Sequence, residues 1–178
     1  MGKRSNFERV ERDFYPTPMK AVEPLIPHLY PGSSFFEPCA GDGTLVDHLI
    51  SLGFYCSDAI DIEPQAQFIR KEDALTTDGG SGNSDYIITN PPWNRKILHP
   101  MIDHFVNKLK KRTWLLFDAS WAHTKQSIPY MPYCSKIVSI GRVKWFPGSK
   151  MAGKDDCAWY FFEPDDGIKR KTIFEGRK

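Results

Sequence analysis

The chain has 178 residues, 40% of them hydrophobic and 26% charged, with a formal net charge of +2. That is enough chain for one domain with a single sizeable core, and the near-neutral balance commits it to no class of partner. No apolar run approaches the ~20 residues that cross a bilayer, and the opening MGKRSNFERVERDFY lacks the apolar centre of a signal peptide. A cytoplasmic protein with no membrane partner is therefore expected. Cys39, Cys56, Cys134 and Cys157 form no C-x-x-C pair and the five histidines no H-x-x-x-H pattern. Reduced thiols and no bound metal follow from that spacing.

In chain order, the sequence reads as a single domain over 1–178, with an N-terminal arm (1–18) and a basic tail (165–178). SSFFE (33–37) predicts a strand that runs into the glycine turn PCAGDGT. LVDHLISLG (45–53) shows helical apolar spacing at Leu45, Leu49, Ile50 and Leu52, with Gly53 as its C-cap. CSDAID (56–61) predicts a second strand. EPQAQFIRK (63–71) opens on an acid and a proline, which predicts a helix. DGGSGNS (78–84) is a flexible connector. DYIIT (85–89) is a strand, a helix follows over 96–111, and TWLLFDA (113–119) has the continuous apolar character of a strand buried on both faces. KIVSIGRVKWF (136–146) and DCAWYFFE (156–163) form an antiparallel pair joined by PGSKMAGK. The basic clusters GKR, KLKKRTW (108–114) and IKRKTIFEGRK (168–178) could neutralise phosphates, or could be ordinary solvated ends.

Strands alternating with helices argue for an α/β, doubly wound, mostly parallel sheet with a C-terminal antiparallel hairpin. Such sheets bind ligands beyond the carboxyl ends of their strands, at the switch point. Four features fall at those ends: EPCAGDG, DIEP, EDAL and TNPPW. The glycine turn brings backbone and helix N–H groups close to a ligand, or is simply a tight turn. It matches neither G-x-G-x-x-G nor a P-loop. Asp61, about twenty residues later, suits two ribose hydroxyls, or with Glu63 stabilises the next helix's dipole. Ile62 could pack on a purine. Asp73 could accept from an adenine amine, or be a surface acid.

TNPPWN is the most informative stretch. The Asn90 side chain and the Pro91 carbonyl supply two acceptors for the hydrogens of an exocyclic amine. Pro91 and Pro92 fix the turn and donate nothing. Holding both hydrogens draws the nitrogen lone pair out of conjugation and aims it at an electrophile. Trp93 offers a stacking face worth ~1–3 kcal/mol per base. Methyl transfer to a planar amine fits this group.

At these residues the sequence resembles the class I, S-adenosylmethionine-dependent amino-methyltransferases, especially the DNA N6-adenine enzymes. The resemblance covers most of the chain, in the order FYPTP (14–18), EPCAGDG (37–43), DIEP (61–64), EDAL (72–75) and NPPW (90–93). It implies a seven-stranded Rossmann-like methyltransferase sheet. It also implies that Tyr15, Thr17, Pro18, Glu37, Pro38, Cys39, Ala40, Gly41, Asp42 and Gly43 surround the methionine end of S-adenosylmethionine. By the same resemblance Asp61 holds the ribose, Ile62 and Asp73 the cofactor adenine, and Asn90 borders the cofactor while binding the target amine. Asn90, Pro91, Pro92 and Trp93 then form the catalytic group, with S-adenosylhomocysteine as product. Phe146, with Trp145 as second choice, closes the other face of the target base, or both are hairpin core.

DNA enzymes of this kind usually carry a sizeable target-recognition region, for which the sequence has no room. It looks like the small phage and prophage adenine methyltransferases, which implies a bacterial or phage-infected host cytoplasm. The expected partner is DNA, with a specificity-conferring protein partner or a homodimer as further possibilities. An RNA base (adenine or guanine amine) is the alternative substrate. A protein glutamine, and a catalytically inactive nucleic-acid-binding subunit, rank below it.

Overall fold

The computed structural model describes residues 14–80, 82–145, 152–167 and 171–177. Its strands are β1 (Ser34–Glu37), β2 (Tyr55–Asp61), β3 (Arg70–Lys71), β4 (Tyr86–Thr89), β5 (Thr113–Asp118), β6 (Cys134–Arg142), β7 (Asp156–Phe162) and β8 (Ile173–Glu175). They form one sheet in the order β3-β2-β1-β4-β5-β7-β6-β8. The first five in that order run parallel; β7 lies antiparallel between β5 and β6. The expected doubly wound sheet with its closing hairpin is thus present, with eight strands among the described residues where seven were expected. The additional edge is β8, which pairs parallel with β6 through the stretch read as a solvated tail.

Both faces of β5 are buried, as its uninterrupted apolar run requires. Trp114 and Leu116 pack with Phe35, Leu45, Leu49 and Trp159 on one side. Leu115 and Phe117 pack with Phe36, Ile87, Leu98, Met101 and Tyr160 on the other. The first layer is covered by α1 (Met19–Val22), the 3₁₀ segment Glu23–His28 and α2 (Thr44–Ser51). The Trp159 indole N–H, fully buried, is satisfied by the Ala21 carbonyl at 2.7 Å, which ties α1 to the hairpin. The second layer is covered by α3 (Arg95–Asp103), capped by Asn94, whose side chain accepts the Lys96 N–H at 3.0 Å. The predicted helix over 96–111 ends earlier: α3 passes into a π-turn over His104–Lys108, and Lys110 takes a left-handed conformation.

The predicted helix over 63–71 does not form. Its end is taken by the sheet instead, where Arg70 and Lys71 pair with β2 as β3. The Glu63 N–H donates to Asp61 and the Gln65 N–H to the Gly41 carbonyl, at 2.8 and 2.9 Å. The segment is consequently drawn across the glycine turn as a series of bends. Residues 119–133 hold three short 3₁₀ turns, the first capped by Asp118 accepting from Ser120. No described helix is long and apolar enough to cross a membrane.

Candidate active site

The sheet reverses its winding between β1 and β4, and a cleft of about 920 Å³ opens beyond the carboxyl ends of the strands there. Its walls carry thirteen of the residues singled out in the sequence: Tyr15, Thr17, Glu37, Pro38, Cys39, Ala40, Gly41, Asp42, Asp61, Ile62, Asp73, Asn90 and Pro92. Pro18, Gly43, Pro91 and Trp93 do not line it. Pro18 is the N-cap of α1, its carbonyl accepting the Ala21 N–H, and Pro91 is buried. Phe146 lies outside the described residues.

The glycine turn is built by contacts that exclude side chains. Gly41 has φ +55°, and a Cβ there would lie 2.6 Å from the Phe14 ring. Gly43, the N-cap of α2, has φ +87°, and a Cβ would lie 2.4 Å from Phe68. Both conformations favour glycine on backbone grounds alone. The sequence reading missed Phe14, although it stands within FYPTP.

Three acids reach the cleft from three strand ends. Glu37 ends β1 and is fully buried. Its Oε1 accepts the Cys39 N–H at 3.0 Å, whereas Oε2 has no hydrogen-bond partner. Burial pushes its carboxyl up to about 8. The Thr89 hydroxyl is close enough to oppose that rise without closing a well-formed hydrogen bond, the Cys39 amide opposes it too, and Asp61 adds to it. Burial also drives the neighbouring Cys39 thiol well above its usual range, helped by Glu37, which disfavours its thiolate. Asp61 ends β2 and spans two loops: Oδ2 accepts the Gly41 N–H and Oδ1 the Glu63 N–H, each at 2.8 Å. Because no helix follows it, the helix-dipole alternative for Asp61 falls away. Beside it Ile62 is 55% exposed, a bare apolar face on the rim. Asp73 is half-buried, and its Oδ1 accepts the Leu75 N–H at 2.8 Å.

Asn90 follows β4 at the mouth of this cleft. Its Nδ2 donates to the Tyr15 carbonyl and to Thr17 Oγ1, both at 3.2 Å. A main-chain carbonyl can only accept, so the amide nitrogen must face Tyr15 and Oδ1 must face away. That oxygen takes the Trp93 indole N–H at 3.3 Å. Trp93 meets Trp145 edge-on, with centroids 5.9 Å apart, and Trp145 in turn lies 5.9 Å from Tyr15. Trp145, the second choice in the sequence, is therefore the described aromatic beside Trp93. A link that sequence spacing could not show is the binding of FYPTP to NPPW through one side-chain amide. Ile97 and Met101, one turn apart on α3, complete the far wall. Their helical spacing marked a buried face but not which cavity it met. Arg95 pairs with Asp118 at 3.1 Å beyond the end of β5.

No protein-family model matches the sequence, and no curated protein matches it at a significant level. Solved structures do match in fold. One is a type I restriction-modification system methyltransferase subunit from Streptococcus thermophilus, with a TM-score of 0.63 at 10% identity over 91% of this chain and 47% of that one. Another is a Listeria monocytogenes protein provisionally assigned to the class I S-adenosylmethionine-dependent methyltransferases, with 0.60 at 8% identity over 97% and 68%. A dimethyladenosine transferase from Plasmodium falciparum gives 0.56 at 16% identity over 86% and 64%. The fold is that of the Rossmann-like methyltransferases, and the chain spans between about half and two-thirds of the length of these three neighbours.

Proposed function

We propose that this chain transfers a methyl group from S-adenosylmethionine to the exocyclic N6 amine of adenine in DNA, acting on a flipped or single-stranded base. The observation that carries the reading is the Asn90 amide. Tyr15 and Thr17 hold its nitrogen, so that the acceptor Oδ1 lies on the Trp93 side, in the wall of a cleft shared with the glycine turn and three acids.

The cleft fits the cofactor's chemistry. The unpartnered, buried Glu37 Oε2 suits an ammonium group, which would complete its hydrogen bonding. Each Asp61 oxygen accepts a single N–H and keeps capacity for ribose hydroxyls. The exposed Ile62 face suits a purine, and Asp73 Oδ2 is available to an adenine amine while Oδ1 holds Leu75. When bound, S-adenosylmethionine supplies a methyl group on a sulfonium centre and leaves as S-adenosylhomocysteine.

Asn90 Oδ1, with one lone pair on the Trp93 N–H, accepts one amine hydrogen with the other. The Pro91 carbonyl accepts the second hydrogen. This pair of contacts turns the amine lone pair out of the base plane. Transfer leaves the positive charge on the amine, which then releases its proton to water, so a general base is not required. What the chain contributes is alignment and exclusion of water around the reacting pair.

Fold likeness to a type I methyltransferase subunit and to a dimethyladenosine transferase supports adenine as the target, and the former supports recognition through a protein partner or second copy. RNA is the second reading, because the transferase's name specifies an adenine riboside. Labelled cofactor offered with DNA, RNA and protein, followed by mapping of the modified positions, tests the proposal. Label is expected on adenine N6 of DNA and lost by at least ~100-fold in Asn90→Ala, the order seen when one charge-stabilising contact is removed. Label on RNA or protein alone, or an active Asn90→Ala, would overturn it.

A further inference from the structure

The basic tail is not accounted for by the cofactor cleft, yet the fold ties it to β6, the strand that leads to Trp145. β8 pairs with β6 in register Lys136 to Ile173 and Val138 to Glu175, so the chain beyond Glu175 continues towards the end of β6. Arg177 there lies against Gly141: a Cβ on Gly141 would come within 3.0 Å of its Nη1. Gly141 has φ +72° and stands at a break in the β6–β7 register, so the approach of the guanidinium uses the missing side chain.

From Gly141 the strand leads directly to the aromatic group. Arg142 is exposed, Val143 buried, Lys144 exposed, and Trp145 is half-buried against Trp93 and Tyr15. Alternation along an extended chain gives Arg142 and Lys144 a shared outward side while their neighbours anchor the segment. Asp156 stands opposite Arg142 in the register but forms no ion pair with it, and none of Arg142, Lys144 or Arg177 pairs with a described carboxylate. Three exposed cations, none paired with a described carboxylate, therefore lie on or beside the segment that ends at Trp145 against Trp93. Such charges are available to neutralise phosphates.

We infer that Arg142, Lys144 and Arg177 bind the phosphodiester backbone of the DNA strand that delivers the target base, with the tail strand completing the surface. The inference rests on the DNA reading above and adds where the strand runs. Such a surface holds DNA through backbone charge beside the base pocket.

Fluorescence anisotropy of a labelled adenine-containing duplex, titrated between 50 and 200 mM salt, tests it. Three phosphate contacts account for about 2.7 of the log–log salt slope, so wild-type affinity should fall about 40-fold more over that range than affinity of Arg142→Ala/Lys144→Ala/Arg177→Ala. The charge-preserving Arg142→Lys/Lys144→Arg/Arg177→Lys protein should keep the wild-type slope, which a merely structural role would not predict. Binding of S-adenosylhomocysteine should be equal in all three. Duplex binding with an undiminished slope in the alanine protein overturns the surface and leaves the methylation reading standing. Wild type that binds S-adenosylhomocysteine but neither the duplex nor its unpaired strand overturns both the surface and DNA as substrate.

Discussion

Replacing Glu37 with glutamine separates the fold's interest from the site's. The carboxyl is fully buried and rises from 4.5 to about 8, chiefly because burial disfavours its charge. An acid whose folded pKa is raised holds its proton in the native state while the unfolded chain has already lost it. Between pH 4.5 and 8 the unfolded state binds fewer protons, so this group's contribution to stability falls as pH rises and levels off above about 8. At 1.36 kcal/mol per pH unit the loss is about 3 kcal/mol by pH 7 and about 5 kcal/mol in full. Glutamine cannot ionise, and its amide nitrogen can occupy the Oε2 position with the Thr89 hydroxyl, itself without a hydrogen-bond partner, as acceptor. Guanidinium denaturation of wild type and Glu37→Gln from pH 5 to 8.5 should show similar stabilities at pH 5 and a variant advantage that widens to several kcal/mol above pH 8. A difference that stays constant across this range would refute the reasoning. The same charge serves the cofactor, because an ammonium beside Oε2 makes ionisation favourable. Calorimetry of S-adenosylhomocysteine binding at pH 7, in buffers of different ionisation enthalpy, should show release of nearly one proton in wild type and none in weaker-binding Glu37→Gln.

Gly43→Ala forces an alanine into the left-handed region, costing about 1–2 kcal/mol, and pushes aside Phe68, whose 55% exposure lets the ring swing away. Thermal melts should therefore show a similar loss in Gly43→Ala and in Gly43→Ala/Phe68→Ala, measured against their glycine parents. Asp61→Ala removes the acceptor of the Gly41 and Glu63 N–H groups; the exposed Glu63 N–H can turn to water, so the loss is that of the Gly41 bond, about 1.5–3 kcal/mol for a charged acceptor. Lower stability together with lost cofactor binding is expected in the same titrations. Trp159→Phe strands the buried Ala21 carbonyl and should cost about 1–3 kcal/mol in denaturant unfolding with no change at the cleft. Trp93→Phe keeps a stacking face but removes the N–H to Asn90, so methyl transfer should survive it far better than Trp93→Ala.

Sequence alone determined six of the eight described strands, the parallel winding and the placing of four loops at one end of the sheet. Period and composition encode those directly: β5 is apolar at every inner position because both its faces are covered, and Gly41 and Gly43 are glycines because both take a left-handed φ. The segment 63–71 carries helix-start chemistry, yet the Gly41 carbonyl takes its Gln65 N–H and β2 pairs with Arg70 and Lys71, which a local reading cannot see. The tail read as a charged end, and only the partner edge of β6 turned it into a strand. Residue types at the site were legible, since an amide, two prolines and an indole in succession have few structural uses. Their orientation was decided by long-range contacts. Tyr15 and Thr17, more than seventy residues upstream, set which way the Asn90 amide faces, because a carbonyl partner dictates where the nitrogen must lie.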